Sequence, residues 1–142
     1  MILSDLGITE AIKKGELKID PFDREALTPN GYDLSINEMR GFPEPKSFFL
    51  VSTTEFIELS GNICAQLWVR SSFARRGIFC SFGKVDAGFE GTLTIGCFNA
   101  GDERIELKKG ERFVQIVFER MLSPAEKKYT GRYRGQRGIK VE

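Results

Sequence analysis

The sequence contains no histidine among its 142 residues. This absence excludes a Ser-His or Cys-His catalytic pair, a histidine general base and any zinc site with an imidazole ligand. Cysteine is scarce too, because Cys64, Cys80 and Cys97 are the only three and form no C-x-x-C pair of the kind that zinc deaminases carry. Acid–base chemistry must therefore use Asp, Glu, Lys, Tyr or water, and we expect the thiols to be reduced and buried.

Long apolar runs are also missing, since stretches such as Phe48 to Val51 are far too short to span a bilayer. The N-terminal sequence MILSDLGITEAIKKG carries acidic residues and lacks an apolar segment of signal-peptide length. Together these absences predict a soluble cytoplasmic protein with no membrane partner.

The composition that remains is that of a globular protein. Hydrophobic residues make up 41% and charged residues 29%, which argues against global disorder. We find no repeat or linker, and the length falls within the single-domain range. Residues 1–142 are therefore predicted to form a single domain.

Charge is unevenly distributed, although the net charge is only +1. The C-terminal segment 127–142 is glycine-rich, and its residues 127–140 carry six basic side chains and no acid, which leaves a net −5 on the rest of the chain. Those basic residues are Lys127, Lys128, Arg132, Arg134, Arg137 and Lys140. Such a segment suggests contact with an anion, although a merely solvated tail has the same composition. An RNA-binding tail is disfavoured because the segment is short, so no nucleic-acid partner is expected.

The first fifteen residues predict the only sizeable helix. Ser4 or Asp5 can serve as N-cap, and Gly15 ends the helix. Its expected apolar face consists of Leu6, Ile8, Ala11 and Ile12.

Short apolar or alternating runs separated by Gly, Pro, Asn and Asp follow from Leu17 onward and predict a mainly β protein. Many short strands indicate a sandwich, jelly roll or barrel. The run RFVQIVFER is apolar on both faces apart from Gln115, so we expect both faces to be covered, by the core and by another subunit. The predicted strands are 16–20, 32–37, 47–52, 55–59, 63–70, 78–82, 92–98, 104–108 and 112–120.

The stretch WVRSSFARRG places Arg70, Ser71 and Ser72 where a strand gives way to a short helix. Free N–H groups at a helix start, two hydroxyls and a guanidinium make a cradle of phosphate size. The alternative is that Ser71 only caps a turn.

Three further segments carry candidate chemistry. Asp86 lies in a glycine-punctuated hairpin and is either a turn residue or, in a chain without histidine, the base that takes a proton from water. The amide of Gln115, isolated in its apolar strand, needs a partner in the backbone or in a ligand. The stretch YTGRYRGQRG is typical of a mobile loop that closes over an anion.

In this order the segments resemble the dCTP deaminase and trimeric dUTPase superfamily over nearly the whole chain. The matching stretches are MILSD at the start, NGYDL at 30–34, VRSS at 69–72, VDAGFEG at 85–91, GERFVQIVF at 110–118 and YTGRYRGQ at 129–136. The resemblance implies a distorted β-barrel or jelly roll of the dUTPase type, with a short N-terminal helix and one short helix after VRSS. It also implies a homotrimer with active sites between subunits and a triphosphate bound with Mg²⁺.

Two departures bear on which chemistry of the superfamily this chain performs. Deaminases of this type carry a glutamate on the strand after the hairpin, where this chain has Gly96. The chain is also two residues shorter between Arg75 and Asp86 than the deaminase pattern. Because Asp86 matches the dUTPase position that activates water, the resemblance implies a dUTPase of the deaminase-like, archaeal-type branch, which converts dUTP and water to dUMP and diphosphate.

The resemblance also implies roles for individual residues. Asp86 would activate the water that attacks the α-phosphorus, and Phe89 would pack beneath the deoxyribose and exclude a ribose. Asp33 would be architectural, and Arg75 matches a deaminase position near the reacting base, with no clear task in a dUTPase. No metal ligands are expected from the protein, because Mg²⁺ would bind mainly through the triphosphate. Arg70, Ser71 and Ser72 would bind the α- and β-phosphates, and Gln115 would also contact the phosphates. From the C-terminal segment, Tyr129, Arg132 and Gln136 would close over the triphosphate.

Two alternatives remain open at this stage. The chain could be a dCTP deaminase, mono- or bifunctional, in which another acid such as Glu90 replaces the missing glutamate. It could instead be a trimeric module that binds dUTP without hydrolysing it.

Overall fold

Antiparallel strand pairing organises the chain. The structure, a computed structural model, describes residues 1–142. Two short helices, α1 (Asp5–Lys13) and α2 (Ser71–Ala74), accompany eleven strands. The strands are β1 (Leu17–Asp20), β2 (Leu27–Thr28), β3 (Gly31–Arg40), β4 (Phe48–Thr53), β5 (Phe56–Leu59), β6 (Ile63–Val69), β7 (Ile78–Ser81), β8 (Lys84–Val85), β9 (Glu90–Gly91), β10 (Thr94–Asn99) and β11 (Arg112–Arg120).

The larger sheet is curled and has the strand order β7-β10-β4-β3-β11-β6-β8, with β2 added beside β3. A smaller sheet has the order β1-β5-β9. Since only two short helices accompany these sheets, the predicted mainly β, distorted-barrel architecture is confirmed. No helix of the chain combines the length and apolar character that crossing a membrane requires.

One hydrophobic core joins the two sheets and helix α1. It contains 28 buried residues, among which the large side chains of Tyr32, Phe49, Phe113 and Phe118 are almost completely enclosed. Strand β11 contributes buried side chains from both of its faces, because Val117 and Phe118 are adjacent and both buried. This chain alone therefore covers much of the strand on both sides, without a second subunit.

The helix prediction is confirmed in its position and its ends. Ser4 is the N-cap and its hydroxyl accepts a hydrogen bond from the N–H of Gly7, while Gly15 follows the helix with φ of +73°. The apolar face is narrower than expected, because Ile8 and Ala11 are buried whereas Leu6 is 70% exposed.

The strand predictions are correct for most of the chain, but the predicted strand 104–108 is wrong. This segment forms no ladder, the Ile105 side chain is buried in the core, and the Ile105 N–H donates to the carbonyl of Pro43. An apolar residue anchored in the core has the same sequence pattern as a strand centre. Three two-residue strands, β2, β8 and β9, are too short to leave a periodic pattern.

Candidate functional site

The residues predicted for the site lie in two separate groups within the chain. The first group, called the cradle here, surrounds the end of β6 and consists of Asp33, Arg70, Ser71, Ser72 and Gln115. The second, called the hairpin region, consists of the turn at residues 86–89 and the C-terminal segment 127–142 that lies against it.

The register of three paired strands brings residues of the cradle together. Gln115 on β11 stands opposite Asp33 on β3 and opposite Trp68 on β6, so these three residues share one face of the sheet. Arg70 lies two residues beyond Trp68, and its Nε is 3.2 Å from Oδ2 of Asp33. Its backbone N–H also donates to the carbonyl of Phe113 at 3.0 Å. The position of Arg70 is therefore fixed by β11 and by an ion pair.

Asp33 orients Arg70 from a buried position. Burial raises the pKa of the Asp33 carboxyl above its ordinary value, and the neighbouring Arg70 and Arg112 oppose that rise. The Nη1 of Arg70 also donates to the carbonyl of Arg112 at 3.2 Å, but the side chain is 40% exposed, so the side of the guanidinium that bonds neither Asp33 nor Arg112 stays open. The open side can receive an anion such as a phosphate.

A second buried carboxyl lies near Asp33 and belongs to the framework beneath the cradle. Both oxygens of Glu55 accept hydrogen bonds, one from the N–H and one from the hydroxyl of Ser35, each at 2.9 Å. Burial nevertheless raises the pKa of Glu55, because these bonds and Arg112 only partly offset the loss of water. Glu55, Asp33 and Arg112 line a cavity of 180 Å³.

The hydroxyls expected in the phosphate cradle face solvent. Arg70 is extended and precedes α2 as its N-cap, so the chain turns sharply and presents Ser71 and Ser72 at the surface. Neither hydroxyl makes a hydrogen bond within the chain, which leaves both free for a ligand.

The side-chain amide of Gln115 already has a partner within the chain, because its Nε2 donates to the hydroxyl of Thr28 at 2.8 Å. The partner of this amide within the chain is therefore a side chain, whereas the sequence analysis named the backbone or a ligand.

Arg75 does not join the cradle. It follows α2 as the C-cap and is exposed. With Arg76 and Arg104 it lines a separate cavity of 460 Å³ that contains no cradle residue.

A tight turn presents Asp86 at the centre of the hairpin region. The N–H of Phe89 donates to the carbonyl of Asp86 at 3.0 Å, and Gly88 has φ of +87°. A Cβ at Gly88 would also lie 2.8 Å from Cβ of Lys128, so the turn requires glycine. The Asp86 side chain is exposed and makes neither a hydrogen bond nor an ion pair within the chain. It is therefore an unpaired carboxylate held on a tight, hydrogen-bonded turn.

The C-terminal segment packs directly on this turn. The N–H of Tyr129 donates to the carbonyl of Ala87 at 2.9 Å, and its ring centroid lies 5.5 Å from that of Phe89. Arg134 pairs with Glu90, with Nη2 3.4 Å from Oε2. Phe89 is buried in part because Tyr129 covers it.

Gln136 attaches the end of the segment to the hairpin. Its carbonyl accepts from the N–H of Thr92 at 2.9 Å, and its Nε2 donates to the carbonyl of Thr92 at 2.7 Å. Its Oε1 is buried and has no partner. The side-chain donor of Gln136 is thus engaged with the hairpin backbone, whereas Arg132 is exposed and makes no hydrogen bond or ion pair.

Two cavities open at Asp86. The larger, of 510 Å³, is lined by Lys84, Lys127 and Lys128, and the smaller, of 170 Å³, is lined by Phe89 and Gln136. The lysines surround an acidic side chain with positive charge and suit a polyanionic ligand. None of Arg70, Ser71, Ser72 and Gln115 lines either cavity.

The sequence analysis missed Lys84 and Tyr133, which both line the smaller cavity. Lys84 precedes Asp86 by two positions, so the period of a strand could have placed it on the same face. Its Nζ lies 3.0 Å from Oε2 of Glu119, and this hydrogen bond raises the pKa of Lys84. Tyr133 left no comparable signal, because its place depends on how the C-terminal segment folds back.

Two other positions bear on the deaminase alternative. Glu90 lines a different cavity, of 620 Å³, that does not include Asp86. Gly96 on β10 is half-buried, and a Cβ there would lie 3.2 Å from Cε2 of Phe48. The space beside Gly96 is therefore already occupied by an aromatic ring. No group of three or more Cys, Asp or Glu side chains is arranged to hold a metal ion.

Comparison with known proteins agrees with this architecture. Residues 35–121 match the model of a family described as dCTP deaminase-like. A dCTP deaminase from Thermococcus kodakarensis is 41% identical over 138 residues, which cover 87% of this chain and 89% of that protein. A probable deoxyuridine 5'-triphosphate nucleotidohydrolase from Sulfolobus islandicus rod-shaped virus 1 is 39% identical over 153 residues. This match covers 98% of this chain and 96% of the viral protein. These matches confirm the resemblance to the superfamily.

A solved structure shows the same fold. A mutant dUTPase of Staphylococcus bacteriophage 80alpha, solved with dUpNHpp, superposes with a TM-score of 0.58 at 21% identity, over 81% of this chain and 97% of that chain. The dUTPase-like fold is thereby confirmed. The names of the relatives are divided between two nucleotide-processing activities, and dCTP deaminase is the commoner name.

Proposed function

The chain belongs to the dCTP deaminase-like family, and from this premise we propose that it is a dUTP diphosphatase that hydrolyses dUTP to dUMP and diphosphate. The observation that carries the proposal is the unpaired carboxylate of Asp86, held on a glycine turn three residues before the buried Phe89. No other acidic side chain lines the two cavities that open there.

Asp86 would act as the general base. Its carboxylate is exposed and free of partners, so it can accept a proton from a water molecule that attacks the α-phosphorus. The bond from the α-phosphorus to the bridging oxygen then breaks, and diphosphate leaves. Lys84, Lys127 and Lys128 line the adjoining cavity and would stabilise the negative charge of the triphosphate.

Phe89 would set the sugar specificity. The ring is buried between the hairpin and Tyr129, which keeps it from moving aside. A deoxyribose in the smaller cavity, which Phe89 lines, would pack against the part of the ring that Tyr129 leaves uncovered, with no room for a 2′-hydroxyl. The proposal therefore includes rejection of ribonucleotides by steric exclusion.

Mg²⁺ fits the chemistry of this region, because the free oxygens of Asp86 are hard donors of the type that this cation prefers. The triphosphate would hold the ion mainly through its own oxygens. When bound, Mg²⁺ would polarise the α-phosphoryl group.

The cradle would hold the phosphates in a second copy of the chain. Arg70 presents an open guanidinium face beside the free hydroxyls of Ser71 and Ser72, which suits phosphate oxygens. These residues line neither cavity at Asp86, so a complete site requires the cradle of one subunit and the hairpin region of another. This arrangement is consistent with a homotrimer whose active sites lie between subunits.

The deaminase alternative is less well supported, although most of the relatives are named dCTP deaminase. A deaminase would need a carboxylate at position 96, where Gly96 stands against the ring of Phe48. Glu90 is a poor replacement, because it is paired with Arg134 and lines a cavity that excludes Asp86.

The decisive experiment is product analysis with dUTP and dCTP in parallel, each with Mg²⁺. We expect dUMP and diphosphate from dUTP, and no ammonia from dCTP. Ammonia released from dCTP would overturn the assignment in favour of a deaminase. Binding of dUTP without any diphosphate would favour the non-catalytic module instead.

A further inference from the structure

Two thiols meet outside the cradle and the hairpin turn, where β7 and β10 pair. Cys80 on β7 stands directly opposite Cys97 on β10 in the antiparallel register. Their sulfur atoms are 3.6 Å apart, with the Cys80 thiol donating to Cys97. Both are free thiols, Cys80 half-buried and Cys97 buried.

The backbone at this pair already has the spacing that a disulfide requires. Opposite residues of antiparallel strands have Cα atoms about 4.5–5.5 Å apart. Disulfides span Cα separations of about 4.4–6.8 Å. A bond between the two sulfurs therefore needs only side-chain rotation and a small approach of the sulfur atoms.

We propose that Cys80 and Cys97 are a modification site, at which a small disulfide such as oxidised glutathione converts the two thiols to an intrachain disulfide bond. Cys64 stays outside this reaction. It lies on β6 opposite Glu119 of β11, two strands that the sheet order separates from β7 and β10. The oxidised chain would then hold one disulfide and one free thiol.

The exposure of the two thiols sets the order of the steps. Cys97 is the less accessible, and the hydrogen bond with Cys80 and its burial raise the pKa of Cys97 above its ordinary value. Cys80 reaches the surface, so glutathione disulfide meets it first, and the Cys80 sulfur gives up its proton to water as it attacks one sulfur of that disulfide.

The second step closes the bond within the chain. The first attack forms a mixed disulfide at Cys80 and releases one glutathione thiolate. Cys97 then loses its proton and attacks the Cys80 sulfur, which breaks the bond to glutathione and releases a second one. Two protein thiols are oxidised and one glutathione disulfide is reduced to two glutathiones. Burial still raises the pKa of Cys97 in this step, so the second step accelerates as pH rises.

The position of the bond gives it a consequence for the hairpin region. The closed loop runs from Cys80 to Cys97 and contains β8, the Asp86 turn and β9. The cross-link would tie both ends of this loop together and fasten the edge strand β7 to the sheet. A constrained loop lowers the entropy of the unfolded chain, so the oxidised protein should be more resistant to heat.

The experiment uses the full chain, reduced and then incubated with oxidised glutathione. The reaction is stopped with acid, free thiols are alkylated under denaturing conditions, and the intact mass and the proteolytic peptides are measured. We expect one alkylated thiol, a loss of two hydrogens and a peptide in which Cys80 is joined to Cys97. We also expect Tm to rise by about 5 °C or more.

Matched variants separate this bond from other oxidation products. C64S should still form the disulfide and gain heat resistance, whereas C80S should form no intrachain disulfide and gain none. Three outcomes would each overturn the proposal. They are three alkylated thiols in the treated wild-type protein, a persistent glutathione adduct on Cys80, and a bridge that involves Cys64. A bridge between two copies of the chain would overturn it as well.

Discussion

The cradle and the hairpin region are built in opposite ways. The cradle lies on the longest ladder of the sheet, where β11 pairs with β6 over seven residue pairs and with β3 on its other side. The hairpin region is made of the two-residue strands β8 and β9, a glycine turn and a C-terminal segment that packs on them. The cradle is therefore held by the core, whereas the hairpin region depends on short ladders and on a few contacts with the C-terminal segment.

The two regions also differ in how they treat acidic side chains. In and beneath the cradle, Asp33 and Glu55 are buried and their pKa values are raised by burial. In the hairpin region, Asp86 is exposed and unpaired. A buried carboxyl bound to a neighbour positions other groups, while an exposed one can exchange protons with water. Under the proposed function, the cradle would position the phosphates and the hairpin region would activate the water.

Replacing Asp86 should produce the largest loss of activity. Asp86→Asn keeps the shape of the turn and removes the proton acceptor, so we expect kcat for dUTP to fall by at least about a hundredfold. Equilibrium binding of dUTP should persist. The matched control is Glu90→Gln, on the same hairpin, which should change kcat much less. An unchanged rate in Asp86→Asn would remove the hairpin region from catalysis.

Removing the C-terminal segment should have the next largest effect. Deletion of residues 129–142 takes away at least two groups that would contact phosphate, each worth about fivefold to tenfold, so kcat/KM should fall by roughly thirtyfold or more. KM should rise and kcat should fall. Because Tyr129 covers Phe89, Tm should drop by a few degrees without loss of the folded state, as checked by circular dichroism.

A shorter deletion provides the control for this prediction. Removing residues 137–142 keeps Tyr129, Arg132 and Gln136 and should preserve most of the activity. If both deletions were equally active, the segment would be only a cover for the hairpin and would have no role in substrate binding.

A single hydroxyl of the cradle should contribute less. Ser72→Ala removes one hydrogen bond to a charged phosphate and should lower kcat/KM by about tenfold, mainly through KM. Ser123→Ala, at another exposed serine outside both regions, is the matched control. Equal kinetics of the two variants with dUTP would place the phosphates elsewhere.

The smallest expected effect concerns the buried acid beneath the cradle. Burial gives Glu55 a higher pKa in the folded chain than in the unfolded one. The folded state therefore binds this proton more tightly, and stability is lost as pH rises from the ordinary carboxyl pKa through the raised one. Urea unfolding between about pH 4 and about pH 8 should show the free-energy advantage of the wild type over Glu55→Gln shrinking with pH.

Glu103→Gln controls for the removal of one negative charge, because Glu103 is exposed. Protein concentration must be the same in all unfolding experiments, since assembly affects stability. An advantage over Glu55→Gln that grows with pH would show that the hydrogen bonds from Ser35 outweigh burial.

The sequence predicted the framework better than the arrangement of the site. Strand periodicity and capping signals located the helix and most strands, because these signals are local. The apolar segment around Ile105 was misread, since one core anchor has the same pattern as a strand. The facing of Cys80 and Cys97 was not predictable from their spacing, because register between β7 and β10 is set by the whole sheet.

The candidate site shows the same limit. Motifs identified Arg70, Asp86 and Gln115, but no local signal says that two of them lie in the cradle and the third in the hairpin region. Nor does the sequence show that the amide of Gln136 donates to the carbonyl of Thr92. Such facts depend on contacts between distant segments, and the roles of these residues in the reaction remain predictions.

The division of the site between two regions is tested most directly by mixing two inactive variants. Ser72→Ala combined with Arg70→Gln disables the cradle, and Asp86→Asn disables the hairpin region. The two proteins are unfolded together in equal amounts, refolded into mixed assemblies and assayed for diphosphate release from dUTP. If each site takes its halves from different subunits, roughly a quarter of the sites regain both intact halves, with activity to match. Activity no higher than that of the separately refolded variants would contradict the account and place both halves of the site in one chain.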